Sequence, residues 1–162
     1  MSTRLVITMA AVAVAAPLAI GGLPTASAEN PGTFLPFAQV LRNCDYSETN
    51  FNGPTGMGRP TALISSQSGQ VFADVQIVTA VPDAYYDVRL IQTPRASAAG
   101  CSGADPGVAA GSVVTDGGGA AHITLNDAIE PGAKKAFVFI TRPNLYEQDP
   151  AEFYTTDFEV TI

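Results

Sequence analysis

Beyond residue 28 the dominant rhythm of the chain is an apolar residue at every second position, broken by Gly, Pro and Asp. A period of two puts alternate side chains on opposite faces of an extended strand, whereas a helix needs apolar residues three and four apart. No window beyond residue 28 has the helical spacing. The clearest strand runs from Gln70 to Ala80, with Val71, Ala73, Val75 and Ile77 on one face and Asp74 and Gln76 on the other. Pro82-Asp83 turns the chain into Tyr85 to Thr93, where Tyr86, Val88 and Leu90 alternate with Asp87 and Arg89.

The remaining elements follow from the same pattern. An extended lead-in (Phe34 to Phe37) precedes an expected first strand, Ala38 to Tyr46, and the glycine- and proline-rich Asn50 to Pro60 reads as a long loop. Thr61 to Gln67 is a short strand closed by a Ser68-Gly69 hairpin turn. Pro94 to Gly111 reads as a loop. Ser112 to Thr115 and Ala120 to Asn126 flank the turn Asp116-Gly117-Gly118-Gly119. Pro131-Gly132 leads into Lys134 to Arg142, a loop spans Arg142 to Ala151, and Glu152 to Ile162 closes the chain with Phe158, Val160 and Ile162 in phase. Seven to eight short strands without a helix imply an all-β domain, an antiparallel two-sheet sandwich of immunoglobulin-like build. Its core is expected to hold Val75, Ile77, Val88, Leu90, Ile123 and Leu125, with Asp74, Gln76, Arg89 and His122 outside.

The first 28 residues have the form of a secretory leader. Arg4 precedes an apolar run from Leu5 to Ile20, and Ala26-Ser27-Ala28 supplies the small residues of a cleavage site between Ala28 and Glu29. Counted to Leu23, the run approaches a membrane span, but it is mostly Ala and Val and is broken by Pro17 and Gly21-Gly22. The expectation is a signal peptide over 1–28 and one secreted domain over 29–162, extracellular or in the cell envelope, with no stable membrane insertion after cleavage. Removing 28 of 162 residues leaves 134, enough for one core. Cys44 and Cys101 are both in the exported part, where an isolated pair forms a disulfide; no C-x-x-C redox motif occurs. Two separated cysteines and one histidine do not compose a metal site.

All 15 acidic residues and seven of the eight basic ones lie beyond the leader, so the domain carries a formal charge of −8. Phosphate backbones and anionic lipid surfaces would repel it, which argues against nucleic acid as a partner. The segment Val81-Pro82-Asp83-Ala84-Tyr85-Tyr86-Asp87-Val88 resembles the proline-then-tyrosine strand start of fibronectin type III and immunoglobulin-like domains. In those families a tyrosine hydroxyl bonds back to the backbone at a corner. Thr115-Asp116-Gly117-Gly118-Gly119 and the ending Phe153-Tyr154-Thr155-Thr156-Asp157-Phe158 resemble small secreted actinobacterial sandwich domains of unassigned role. Two features depart from the antibody pattern: there is no Trp, and Cys101 lies in an expected loop.

Catalytic residue types are scarce. His122 alternates against Ala121 and Ile123 and should point to solvent, and Gly100-Cys101-Ser102-Gly103 is not a nucleophile elbow. Asp83 with Asp87, and Glu147 with Asp149 and Glu152, read as exposed turn carboxylates. The latter trio, or Asp116, could offer oxygens to calcium, but no EF-hand or glycine-aspartate repeat is present, so neither metal nor cofactor is expected. The favoured reading is a non-catalytic binding domain for a protein, a glycan or a small apolar ligand. A hydrolase using loop carboxylates and a passive envelope component are the alternatives. The candidate partner loop is Arg142–Glu152, where Leu145 and Tyr146 sit between Pro143 and Pro150. They serve either as interface anchors or as a plug for the open end of the domain.

Overall fold

The computed structural model describes residues 30–51, 53 and 56–162. The expected leader and its Ala28–Glu29 junction fall outside the described residues. Nine strands follow in order: β1 (Asn30–Ala38), β2 (Thr61–Gln67), β3 (Gln70–Ile77), β4 (Tyr85–Thr93), β5 (Val108–Val114), β6 (Ala121–Ala128), β7 (Lys135–Arg142), β8 (Glu152–Thr156) and β9 (Val160–Thr161). No helix occurs among them. Hydrogen bonding runs β5-β4-β7-β8-β1-β2-β3-β6, every pair antiparallel, with β9 added beside β7. The end strands β5 and β6 lie side by side without a ladder, so the sheet is nearly closed, like a barrel.

The alternation of β3 and β4 sets the inner core. Ile64, Val71, Val75, Tyr86, Val88 and Val138 are among its fully enclosed side chains. The register is as expected at Val75, Ile77, Val88, Leu90 and Leu125, which are buried, while Ile123 on β6 is only partly so because it borders the open seam with β5. Gln76 and His122 are exposed; Asp74 and Arg89 are half-exposed.

Three elements depart from expectation. The first strand is β1, and residues 39–51 form an irregular strap. Asn43 and Asp45 nucleate a tight turn there, with Tyr46 at φ 70° and Asp45 accepting from the Ser47 amide. β1 was obscured by Pro31, Gly32 and Pro36, and it works because it changes partners: residues 30–36 pair with β2, whereas Phe37 and Ala38 pair with β8. β5 begins at Val108, inside the segment expected as loop, since Ala109, Ala110 and Gly111 carry no strand-favouring side chain. The final strand is split. Asp157 leaves the ladder to bond the Pro36 carbonyl, and Glu159 turns to Lys135 and Thr93 before β9 resumes. Phe158 is therefore exposed rather than in phase with Val160.

β7 is buried on both faces, because a second apolar cluster lies outside the sheet. Ile91, Val108, Phe137, Phe139 and Phe153 are covered by Leu41, Tyr46 and Phe51 of the strap. The Tyr46 ring meets Phe137 edge-on at 5.0 Å, and its hydroxyl donates to the Thr156 carbonyl at 2.8 Å. The Cys44–Cys101 disulfide, with Cα atoms 5.6 Å apart, ties this strap to the 94–107 loop. The bridge joins two loops over the outer face, in keeping with Cys101 lying outside any strand. It is compatible with an extracellular location, and no helix among the described residues is long and apolar enough to cross a membrane.

Candidate functional site: the loop end of the barrel

Antiparallel pairing brings the start of β2, β4, β6 and β8 and the end of β3, β5 and β7 to one end of the barrel. The segments 56–60, 78–84, 115–120 and 143–151 therefore gather there. They are held from beneath by a buried polar cluster. Glu152, 5% exposed, accepts from Arg142 at 3.0 and 3.1 Å through Oε1, and from the hydroxyls of Tyr86 (2.8 Å) and Tyr154 (3.1 Å) through Oε2. Each tyrosine hydroxyl in turn accepts a backbone amide, Tyr86 from Val81 at 3.2 Å and Tyr154 from Gly58 at 2.9 Å. Two loops thus end on one carboxylate.

The local sequence explains why. Glu152 and Tyr154 are two apart on β8 and share its inward face, while Arg142 is the partner of Glu152 in the β7–β8 ladder. Gly58 is needed because a Cβ there would stand 2.8 Å from the Tyr154 hydroxyl, and one on Gly56 would collide with that hydroxyl and with Glu152. Segments 78–84 and 115–120 are joined to each other by Ala80 N to Gly119 O at 3.0 Å and by the Thr115 hydroxyl to Val81 O at 2.6 Å. Gly119, at φ 75°, packs directly against the Ala80 backbone, where no side chain fits. The Tyr86 hydroxyl thus reaches back to the backbone five residues upstream.

Burial pushes the Tyr86 hydroxyl up to about 12, with the hydrogen bond to Glu152 adding to the effect, and burial followed by the negative charge of Glu152 raises Tyr154. A phenol that holds its proton more tightly when folded stabilises the fold fully below its ordinary value near 10. That stability is lost as pH rises through about 12. Alkaline unfolding is expected to begin above pH ~10 and to coincide with the tyrosinate absorbance change of the buried rings. Tyr86→Phe should remove part of the pH dependence.

Several large apolar side chains are exposed at this end of the barrel. Leu145 is 88% and Tyr146 92% exposed, so the two residues do not plug the barrel. They stand on a loop whose base is closed by Ala151 N to Arg142 O and whose apex is set by the Asn144 side chain accepting from the Tyr146 amide at 3.0 Å. Met57, Val78 and Val81 at the same end are also exposed. Beneath the 143–150 loop lies a cleft of about 340 Å³ with Phe139, Arg89, Asp87 and Glu147 among its lining; Arg89 sits over the Phe139 ring at 5.5 Å.

Other candidate chemistry is dispersed. His122 Nε2 pairs with Asp74 Oδ1 at 3.0 Å across β3 and β6, each side chain about half-exposed. The Ser102 hydroxyl bonds Asp105 at 2.7 Å within a turn beside the disulfide. Asp87 accepts from the Tyr85 hydroxyl at 2.9 Å. Of the acidic trio, Glu147 and Asp149 are exposed and Glu152 is turned inward, so they do not share a face. Among the described residues no group of three His, Cys, Asp or Glu is placed to hold a metal ion. The sequence reading missed the Glu152 cluster. Its trace was a Glu two residues before a Tyr on the same strand face, opposite an Arg across a hairpin base. Compared with protein-family models, curated proteins and solved structures, the chain has no match in any of the three.

Proposed function

We propose that this chain is a secreted, non-catalytic binding module of immunoglobulin-like or fibronectin type III-like build, which grips a protein partner with its loop end. The build is supported by strand order. β1-β2-β3-β6 and β5-β4-β7-β8 are joined only through β1, and the pairs β3–β6 and β4–β7 correspond to the B–E and C–F pairs of an immunoglobulin-like sandwich. Export to the extracellular space or envelope is supported by the leader-like first 28 residues and by the disulfide.

The observation that carries the binding reading is the pair Leu145–Tyr146, almost wholly exposed on a loop with a locked base. Large apolar side chains held in water by a rigid frame lose little entropy on docking, as interface anchors require. The Leu145→Ala/Tyr146→Ala variant should therefore melt within about 3 °C of the wild type. It should lose saturable, competable capture of one envelope protein that the wild type retains. Retained capture overturns the assignment of the loop, and a turnover activity in a broad hydrolase screen would favour the carboxylate enzyme instead.

A further inference from the structure

β5 reads Val108-Ala109-Ala110-Gly111-Ser112-Val113-Val114, an edge strand with no charge and no proline. Soluble domains ordinarily guard such an edge with lysine, proline or a bulge. Its ladder is with β4 alone; β6 lies alongside but forms no ladder with it. The bonded pairs Thr115–Ala84 and Gln92–Gly107 bracket it, so by alternation Val108, Ala110, Ser112 and Val114 turn their amides and carbonyls away from β4. Ala110, Ser112 and Val114 are exposed. On the inner face, Val113 of β5 and Ile123 of β6 are only half-buried along a seam that is latched at one end by Gln92 bonding Asp127 and the Ala128 carbonyl.

We propose that two copies of the chain associate by antiparallel pairing of β5 with β5 about a two-fold axis at Gly111. That register fits the strand on four counts. It makes Ala110–Ser112 and Val108–Val114 of opposite copies the hydrogen-bonded pairs, which are the residues whose backbone groups are free. It puts the small Ala110 and Ser112 opposite each other where the 102–105 turn passes, a Cβ on Gly103 standing 2.7 Å from that of Ala110. It sets Asp105 opposite Gly117 and Asp116 opposite Pro106, so a strongly acidic protein meets its copy without opposed carboxylates. It also extends the sheet so that Ala109 and Val113 of the second copy cover the half-buried seam. β6, the other edge, carries His122 and Asp127 and is the poorer template.

Sedimentation velocity on the full exported chain, from about 1 μM to about 1 mM, tests this together with amide exchange. The expected result is a monomer–dimer equilibrium in which the amides of residues 108, 110, 112 and 114, but not those between them, gain protection as dimer forms. Ser112→Pro removes an N–H that the monomer does not use, so it should keep the melting temperature of the dilute wild type and weaken dimerisation at least tenfold. Ser112→Lys, which places a charge on the edge, serves the same purpose if the proline variant fails to fold. A wild type that stays monomeric throughout overturns the proposal. So does a dimer that survives both substitutions, or one without alternating protection.

Discussion

Replacing Glu152 by alanine is expected to destabilise the domain by roughly 3–5 kcal/mol, the range for breaking a buried ion pair from one side. The carboxylate is the shared acceptor for Arg142, Tyr86 and Tyr154. Arg142 is about one-third exposed and can regain water. The two phenols cannot, so most of the cost falls on hydroxyls left without an acceptor. Urea denaturation should show a lower midpoint with an unchanged slope. Amide exchange should quicken in residues 56–60 and 78–84, because those loops hang from the tyrosines. Glu152→Gln keeps an oxygen for the phenols but turns an amide donor toward Arg142, and should cost less than alanine. If exchange in the two loops stays at the wild-type rate in Glu152→Ala, the carboxylate does not hold them.

Removal of the Cys44–Cys101 bridge should cost about 4 kcal/mol, the loop-closure entropy of a 57-residue separation. The structure directs where this loss is felt. The bridge tethers the strap over Phe137, Phe139 and Phe153, whereas the inner core is closed by strand ladders that need no tether. Reduction, or Cys44→Ser with Cys101→Ser, should therefore lower the melting temperature and expose the outer aromatics to a hydrophobic dye. Exchange in β2, β3 and β6 should change least. An unchanged melting temperature after full reduction would falsify the role given to the bridge.

These two predictions also mark where the sequence was legible. Strands with one wet face declared themselves: β2 and β4 have the expected limits, and the hairpin turn at Ser68-Gly69 uses positive φ at both residues. Alternation encodes burial only when the opposite face meets water. β7 and the end of β4, covered on both faces, instead read as continuous apolar runs, and nothing local reveals that the cover is a strap from residues 39–51. β1 was hidden by its prolines, since its ladder partner changes midway and a regular pattern is not required. Leu145 and Tyr146 were legible as an apolar pair in a stiff loop, but whether they stand in water or plug the domain was decided only by the structure. Glu152 was not, because an acidic residue beside a turn defaults to solvent unless its partners, one in each of three strands, are known to converge.

β1 has a consequence for how the chain reaches this state. Its residues bond β2 at one end and β8 at the other, and just past it the Val40 carbonyl receives the Thr155 hydroxyl, 115 positions away. The Asn30 side chain reaches Thr161 O at 3.1 Å. As the chain emerges during synthesis, β1 must therefore wait for β8, with one edge unpaired until then. Contacts this distant in sequence are slow to close and leave the waiting edge open to wrong partners. The domain cannot be assembled half by half, and a chain interrupted before β8 keeps both an unfinished sheet and a bare β1.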